Sequence, residues 1–226
     1  MSSSDARAVL ITDADAFVGP AAVRRFRAQG DAVTAISEPL TSREHAARVV
    51  AEHGPFEVVI ANLEAPITVA PITEHDDAVV REAFTRLVDP LFWLFAECLP
   101  AMIEAGGGAV VVPTSATAIR SSTHPIAAYQ AARAAQIALV HSVGREMAQH
   151  AVRVNGIAPN FIENPSYFPP ETLADPRFQQ SLRRNVPAQR MGSGDEAASV
   201  LWWLASPEAS YVFGAIIPTD GGWTLG

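Results

Sequence analysis

Short apolar segments alternate along this chain with longer segments in which apolar residues recur at helical spacing. The short segments are rich in Val, Ile and Ala, a composition typical of buried strands. They cover residues 8–12, 32–36, 58–61, 109–113, 152–157 and 215–218. Strands that are joined by helices pair in parallel, so this order predicts an α/β fold. We expect a single domain over residues 1–226, built on a doubly wound parallel sheet with helices on both faces.

The longer segments are the expected helices. They cover residues 19–29, 42–52, 77–104, 125–150, 175–184 and 194–205. Pro90 lies inside the longest of them, and we expect a kink there because proline lacks the N–H that a helix interior needs. Residues 159–170 are rich in proline and aromatic residues, and we expect an irregular loop.

Composition and charge exclude several classes of protein. The chain has 226 residues, of which 49% are hydrophobic and 18% charged, as is typical of one compact domain. Its net charge of −8 argues against binding to nucleic acid or to an anionic membrane. No uncharged apolar run reaches the ~20 residues of a membrane span. Residues 1–5 lack the basic and apolar parts of a signal peptide, so we expect a cytoplasmic protein.

Cysteine and histidine usage gives no indication of a metal site. The single cysteine, Cys98, lies in an apolar helical segment and is expected to be a buried structural thiol. The six histidines are scattered and show no spacing typical of zinc ligands. We therefore expect no metal.

Tyr129 and Arg133 lie four residues apart on an expected helix, and Ser115 lies on the strand before it. A spacing of four places both side chains on one face of the helix. A guanidinium beside a phenol favours the phenolate, which makes Tyr129 a candidate general base. The alternative is a surface stack of the two side chains with no catalytic role.

The turn after the first strand, residues 12–19, departs from the pattern of a dinucleotide-binding loop. Such a loop needs glycines for a tight turn and for close approach of the backbone to a pyrophosphate. Only Gly19 is present, and Asp13 and Phe17 stand in the places of the others. Asp13 would bring negative charge near a pyrophosphate, and Phe17 would put a ring where the cofactor passes. Glu38, near the position of a ribose-binding acid, is expected to be a surface residue.

In their order along the chain, these features resemble the short-chain dehydrogenase/reductase family, whose fold is Rossmann-like. The resemblance covers nearly the whole chain and includes residues 12–19, Ala61-Asn62, Ser115, Tyr129-x-x-x-Arg133, Pro159 and Asp220-Gly221-Gly222. Two positions differ from the dehydrogenases. Arg133 replaces a lysine that also holds the nicotinamide ribose, and Leu87 replaces a proton-relay asparagine.

These departures resemble one offshoot of the family, the halohydrin dehalogenases. The resemblance implies a catalytic triad of Ser115, Tyr129 and Arg133, and it implies that the Phe17 ring closes the nucleotide slot. It also implies a halide- and substrate-binding loop over residues 159–169, with contacts from Pro159, Asn160, Phe161, Ile162 and Tyr167. No nucleotide or other cofactor is then required.

The implied reaction is consistent with the chemistry of these residues. Tyr129 would take the proton from a hydroxyl next to a carbon–halogen bond, while Ser115 holds the oxygen by a hydrogen bond. The alkoxide would attack the neighbouring carbon from the back and expel halide, which forms an epoxide. Backbone N–H groups of residues 159–162 and the edges of aromatic rings would surround the anion. The expected partners are a halohydrin or epoxide and a halide or other small anion.

Two alternatives stay open at the level of sequence. One is an NAD(P)-dependent oxidoreductase with an unusual loop, and the other is an inactive relative with a binding or regulatory role. Nicotinamide binding distinguishes the first, and halohydrin turnover that depends on Tyr129 distinguishes the second.

The helices that contain Pro90 and Tyr129 are apolar or alanine-rich around much of their circumference. Such faces are usually buried. We therefore expect an oligomer formed through them, a homotetramer with two-fold symmetry.

Overall fold

Six parallel strands form one sheet in the computed structural model, which describes residues 6–226. They are β1 (Ala8–Ile11), β2 (Ala32–Ala35), β3 (Val58–Ile60), β4 (Gly108–Pro113), β5 (Val152–Pro159) and β6 (Ile216–Thr219), in the spatial order β2-β1-β3-β4-β5-β6. The prediction of a single-domain, Rossmann-like parallel sheet is confirmed. Residues 1–5, on which the expectation about targeting depended, lie outside the described residues.

Helices pack on both faces of this sheet. Within residues 6–226 they are α1 (Gly19–Ala28), α2 (Arg43–His53), α3 (Asp77–Leu87), α4 (Asp89–Glu104), α5 (Ala127–Met147), α6 (Pro170–Ala174), α7 (Pro176–Asn185) and α8 (Gly194–Ala205). None of these described helices is both long enough and apolar enough to cross a membrane.

The central strands β1, β3, β4 and β5 contribute to two apolar layers, because successive side chains point to opposite faces of a sheet. On one face, Leu10 and Val110 pack with residues of α2, α3, α4 and α5. On the other face, Val9, Ile11 and Val111 pack with residues of α1 and α8. Burial on both sides explains why the strands are continuous apolar runs in the sequence.

The segment predicted as one kinked helix is two helices. α3 ends at Leu87 and α4 begins at Asp89, with Val88 between them at φ −104° and ψ −54°. Pro90 lies in the first turn of α4, where an N–H has no helical acceptor in any case. Proline therefore begins the second helix, and the prediction of a continuous helix with a kink was wrong.

Three further features differ from the prediction. β5 extends through Pro159, so the irregular loop starts one residue later than expected. Pro170 begins the short helix α6, which was not predicted because the proline-rich sequence around it indicated a loop. α5 ends at Met147 and continues as a 3₁₀ turn over Ala148–His150.

The loops after β1 and β3 meet at the carboxyl end of the sheet. β1 lies between β2 and β3 in the sheet, so the chain adds β2 on one side of β1 and the later strands on the other side. α/β proteins bind ligands at such a reversal of strand order. Asn62, in the loop after β3, donates from Nδ2 to the carbonyl oxygens of Asp13 (2.9 Å) and Ala16 (3.0 Å). These hydrogen bonds fix one loop to the other.

Candidate active site

Ser115 lies two residues beyond the end of β4, and not on the strand as predicted. It is the N-cap of the 3₁₀ turn Ala116–Ala118, and its Oγ accepts a hydrogen bond from the N–H of Thr117 at 3.3 Å. Its Oγ is also hydrogen-bonded to Thr117 Oγ1 at 2.9 Å. Serine is favoured at this position because the first N–H groups of a helical turn have no backbone acceptor. The cap holds the Ser115 hydroxyl in one place.

A cavity of about 70 Å³ joins the loop after β4, the start of α5 and the loop after β5. No side chain of Asp, Glu, Lys, Arg or His contributes to its described wall. Eight of the nine predicted site residues line it: Phe17, Ser115, Tyr129, Pro159, Asn160, Phe161, Ile162 and Tyr167. The sequence therefore predicted eight of the thirteen residues of this wall, while their roles in catalysis and binding stay predictions.

Arg133, the ninth predicted residue, lies behind the cavity wall. Its side chain is completely buried, and Tyr129 is only 5% exposed. The guanidinium carbon lies 5.0 Å from the centre of the Tyr129 ring and 5.1 Å from the centre of the Phe17 ring. A cation between two aromatic faces is stabilised by both of them. The alternative of an exposed surface stack is therefore wrong.

Oxygen atoms, none of them from a carboxylate, accept the hydrogen bonds of Arg133. Nη1 donates to the carbonyl oxygen of Pro113 (3.0 Å) and to Gln136 Oε1 (3.0 Å). Nη2 donates to the carbonyl oxygen of Leu63 (3.1 Å) and to the hydroxyl of Tyr167 (3.3 Å). Burial alone would lower the pKa of Arg133, but the neighbouring Tyr129 and Tyr167 more than offset this and the pKa is raised. The cation therefore stays charged inside the protein.

The ring of Tyr167 lines the cavity, and its hydroxyl makes hydrogen bonds behind the cavity wall. The hydroxyl donates to the carbonyl oxygen of Ala65 at 3.0 Å and accepts from Arg133. Its ring meets the rings of Phe17 and Tyr129 edge-on, at centroid distances of 5.4 Å and 6.0 Å. Burial raises the pKa of Tyr167 well above its ordinary value, and the proximity of Tyr129 adds to the effect. Tyr167 therefore stays a neutral phenol, which leaves Tyr129 as the candidate base.

Phe17 adopts a left-handed backbone (φ 49°) that turns its ring into the protein, where it is 5% exposed. Its N–H donates to Ser166 Oγ at 2.9 Å, so the loop after β1 is attached to the loop after β5. Gly19 is required because a Cβ there would lie 2.6 Å from the carbonyl oxygen of Asp13. The one glycine that this loop retains therefore serves its tight fold.

The predicted role of backbone N–H groups in the 159–162 turn needs a correction. Pro159 has no N–H, Asn160 donates to the carbonyl oxygen of Thr219 (3.3 Å), and Phe161 donates to Asn160 Oδ1 (3.0 Å). Of these four residues, only Ile162 has an N–H without an acceptor in the described part of the chain. The predicted N–H groups of Asn160 and Phe161 are thus already used, because the side chain of Asn160 closes the turn on itself.

Sequence analysis missed several residues of the site. Gln136 lies three residues after Arg133, orients its guanidinium, and is itself held by a 2.6 Å hydrogen bond to the carbonyl oxygen of Leu87. A polar residue at helical spacing on an alanine-rich helix was the available signal. Three wall residues outside the predicted loop were also missed: Ile67, Thr117 and Ile126. Asn164 and Phe168 lie within the predicted loop 159–169 but were not singled out as contacts.

Comparison with known proteins matches this fold and arrangement to one family. A family model described as enoyl-(acyl carrier protein) reductase, from the short-chain dehydrogenase/reductase group, matches residues 6–224. The chain belongs to the short-chain dehydrogenase/reductase family. The 2-keto-3-deoxy-L-fuconate dehydrogenase of Xanthomonas campestris pv. campestris is 29% identical over 219 residues, 96% of this chain and 71% of that protein.

Two solved structures that are similar to this chain are dehalogenating enzymes. One, described as a dehalogenation enzyme, is 27% identical with a TM-score of 0.89, over 96% of this chain and 98% of the other. A halohydrin dehalogenase bound to ethyl (2S)-oxiran-2-ylacetate is 24% identical with a TM-score of 0.86, over 95% and 96% of the two chains. The second shows similarity of fold alone. The chain is an enzyme of this superfamily, in which oxidoreductases and dehalogenases both occur.

The residues of this short-chain dehydrogenase/reductase do not fit a dinucleotide. The Phe17 ring is buried against Arg133 and Tyr167, where a glycine loop would leave room for the cofactor. Arg133 is completely buried, and its Nη1 and Nη2 donate to carbonyl and side-chain oxygens, so its side chain is not accessible to a ribose. Glu38 is exposed, as expected for a surface residue.

Proposed function

We propose that this protein converts vicinal halohydrins into epoxides and halide without a cofactor, and that it opens epoxides with small anions in the reverse direction. The observation that carries the proposal is the burial of Arg133 between the rings of Tyr129 and Phe17. There the guanidinium acts on the phenol beside it and cannot hold a nucleotide. Similarity to the dehalogenation enzyme over nearly the whole chain supports the same conclusion.

Ring closure needs one base and one hydrogen-bond donor at the substrate oxygen. Tyr129, as phenolate, takes the hydroxyl proton of the halohydrin. The electron pair left on oxygen forms a bond to the neighbouring carbon, and the electron pair of the carbon–halogen bond leaves with the halide. Ser115 Oγ accepts from the N–H of Thr117 and is hydrogen-bonded to Thr117 Oγ1; when Thr117 Oγ1 is the donor of that pair, the Ser115 O–H can donate to the substrate oxygen.

The end of the cavity that is formed by Phe17, Phe161 and Ile162 suits a weakly hydrated anion. The edges of the Phe17 and Phe161 rings carry partial positive charge, and the N–H of Ile162 has no acceptor in the described chain. A wall without charged side chains also favours a neutral organic substrate, because an isolated charge there would be desolvated without a partner. We therefore assign the halogen and the carbon skeleton of the halohydrin to this end of the cavity, and its hydroxyl to the end at Ser115 and Tyr129.

A nicotinamide-dependent oxidoreductase is the second candidate, because the curated relative from Xanthomonas campestris pv. campestris is a dehydrogenase. The two functions differ in cofactor binding. Titration calorimetry with NADH and NADPH is expected to show no binding up to millimolar concentration. Binding at micromolar concentration would overturn the dehalogenase proposal and support the oxidoreductase.

Halide release tests the proposal itself. Purified protein in nicotinamide-free buffer should release chloride from 1,3-dichloro-2-propanol, and Tyr129→Phe should abolish the release while the circular dichroism spectrum stays unchanged. Tyr211→Phe is the matched control, since Tyr211 is 97% exposed and lies outside the site. Equal chloride release by wild type and Tyr129→Phe would exclude Tyr129 as the base.

A further inference from the structure

A buried carboxylate lies on the far side of one peptide bond from the Arg133 guanidinium. The N–H of Glu64 donates to Asp13 Oδ2 at 2.7 Å, and the carbonyl oxygen of Leu63 accepts from Arg133 Nη2 at 3.1 Å. This N–H and this carbonyl belong to the same peptide unit. The Leu63–Glu64 peptide therefore joins the carboxylate of Asp13 to the guanidinium of Arg133.

Such an arrangement lets two charges act on each other without touching. A carboxylate at the N–H end of a peptide polarises it, which makes the carbonyl oxygen a stronger acceptor for the cation at the other end. The 2.7 Å distance at Asp13 is in the range of charge-assisted hydrogen bonds. No carboxylate of residues 6–226 contacts Arg133 directly, whereas the Asp13 carboxylate is connected to it through this one peptide.

Two charged groups besides Arg133 lie near Asp13. Glu64 and Arg86 face it from the loop after β3 and from α3, but they pair with each other at 3.3 Å. Burial raises the pKa of Asp13 to about 6, against the lowering effects of the Glu64 N–H, of Arg86 and of Arg133. The repulsion of Glu64 also raises it. Asp13 is therefore largely ionised at neutral pH, although it is only 4% exposed.

We propose that Asp13 is a positioning residue and the counter-charge of Arg133, acting through the Leu63–Glu64 peptide, and that it sets the pH at which Tyr129 becomes a base. Its negative charge offsets part of the field that Arg133 exerts on the Tyr129 phenol. Its hydrogen bond also fixes the backbone segment 63–65, whose carbonyl groups hold Arg133 and Tyr167. The part of this proposal that is tested by enzyme activity rests on the proposed function, whereas the part that is tested by titration of Tyr129 does not.

Asp13→Asn separates charge from position. The amide oxygen still accepts from the Glu64 N–H, and asparagine tolerates the left-handed backbone of this position (φ 41°). The chain has three tyrosines, so the near-ultraviolet absorbance of tyrosinate can be followed through a pH titration. Subtracting the titration of the same protein carrying Tyr129→Phe isolates Tyr129. In Asp13→Asn the midpoint of the Tyr129 titration should move about half a pH unit lower, because the positive charge of Arg133 is no longer offset by a carboxylate.

Asp15→Asn is the matched control, because Asp15 lies in the same loop with the same charge but is exposed. It should leave the midpoint unchanged. An unmoved midpoint in Asp13→Asn, or an equal movement in Asp15→Asn, would overturn the proposal. This measurement requires no substrate, so it decides the role of Asp13 even if no halohydrin is turned over and the proposed function fails.

The pH profile of kcat/KM for a halohydrin is the second readout. In Asp13→Asn the rising limb should move to lower pH by the same half unit, with little change in the plateau. Asp13→Ala also removes the acceptor for Glu64, so its plateau should fall about tenfold as the 63–65 segment loosens. If Asp13 had only a structural role, both variants would have a lower plateau and an unmoved rising limb. That result would contradict the proposal.

Discussion

At the scale of residues, the site depends on a buried cation that is held by uncharged oxygen atoms. Burial of an ion is expensive unless its hydrogen bonds are satisfied. Arg133 meets most of this requirement: four hydrogen bonds satisfy Nη1 and Nη2 and two aromatic rings flank the guanidinium, while Nε has no partner within the described residues. A planar guanidinium can lie between two rings while its edges donate in several directions, which the compact ammonium of lysine cannot do. The geometry therefore explains why arginine stands at this position.

Substitution of Arg133 tests its effect on Tyr129. Arg133→Gln removes the cation, so fewer molecules carry the phenolate at pH 7 and kcat/KM should fall about 100-fold or more. The rising limb of the pH–rate profile should move to higher pH. Arg133→Lys keeps the charge and should have a smaller effect. If Arg133→Gln lowers the rate equally at every pH, Arg133 acts only by positioning other groups.

The raised pKa of Asp13 predicts a specific dependence of stability on pH. In the unfolded chain this carboxyl ionises near 3.8, and in the folded protein near 6, so the folded state binds the proton more tightly. Tighter proton binding stabilises the folded state, and this stabilisation is fully present below pH 3.8 and is lost as the pH rises through 6. Between pH 5 and pH 7, the wild type should lose about 1 kcal/mol of unfolding free energy that Asp13→Asn does not lose. Urea unfolding of both proteins at the two pH values measures this difference, and equal losses would contradict it.

The sequence predicted the Tyr129 and Arg133 pair but not what holds it. Helical spacing alone places the two side chains together. Two of the four acceptors of Arg133 are the backbone carbonyls of Pro113 and Leu63, which lie 20 and 70 residues away along the chain. A backbone carbonyl has no signature in the sequence. Asp13 was visible only as a missing glycine, because its contact with Glu64 depends on how two loops meet.

At the scale of elements, the loop after β5 is organised by Asn164. Its Oδ1 accepts from the N–H groups of Ser166 (3.1 Å) and Tyr167 (2.8 Å), and its Nδ2 donates to the carbonyl oxygen of Ile162 (2.7 Å). One side chain thus joins the candidate halide end of the cavity to the wall residue Tyr167. The short element α6 and this asparagine turn were hidden from sequence analysis, because proline-rich segments carry no helical or strand periodicity.

Inhibition by halides tests this loop. Bromide should compete with the halohydrin for the leaving-group end of the cavity, and fluoride should inhibit far less because it is strongly hydrated. Asn164→Ala should weaken bromide inhibition about tenfold, a change of ~1.4 kcal/mol. Asn185→Ala is the control, since Asn185 lies on α7 outside the loop. Equal inhibition by both halides would indicate that the loop only covers the core.

At the scale of the whole molecule, the fold followed directly from sequence periodicity, whereas assembly did not. All six strands were predicted within two residues because each apolar run is bounded by turn residues or a helix. The break at Val88 was missed because a proline indicates equally a kink and the start of a helix. On the outer side of α4 and α5, Phe92 is 53% exposed and several alanines are exposed with it.

This outer surface leads us to propose a homotetramer. Multi-angle light scattering should give about four times the 24.0 kDa mass of one chain. Ala138→Glu places a charge on the exposed face of α5 and should lower that mass, because a charge is costly in an apolar interface. Ala51→Glu, on the exposed face of α2, should not. A stable 24.0 kDa wild-type monomer at micromolar concentration would contradict the homotetramer.

The most direct test of cofactor-free ring closure is the stoichiometry of its products. 1,3-Dichloro-2-propanol should be incubated with the protein in nicotinamide-free buffer, and chloride and epichlorohydrin should be quantified in the same samples. Equal molar amounts of the two products are expected, because each alkoxide attack expels one chloride. Chloride without epoxide, formation of the ketone, or turnover only after addition of NAD or NADP would contradict the proposed function.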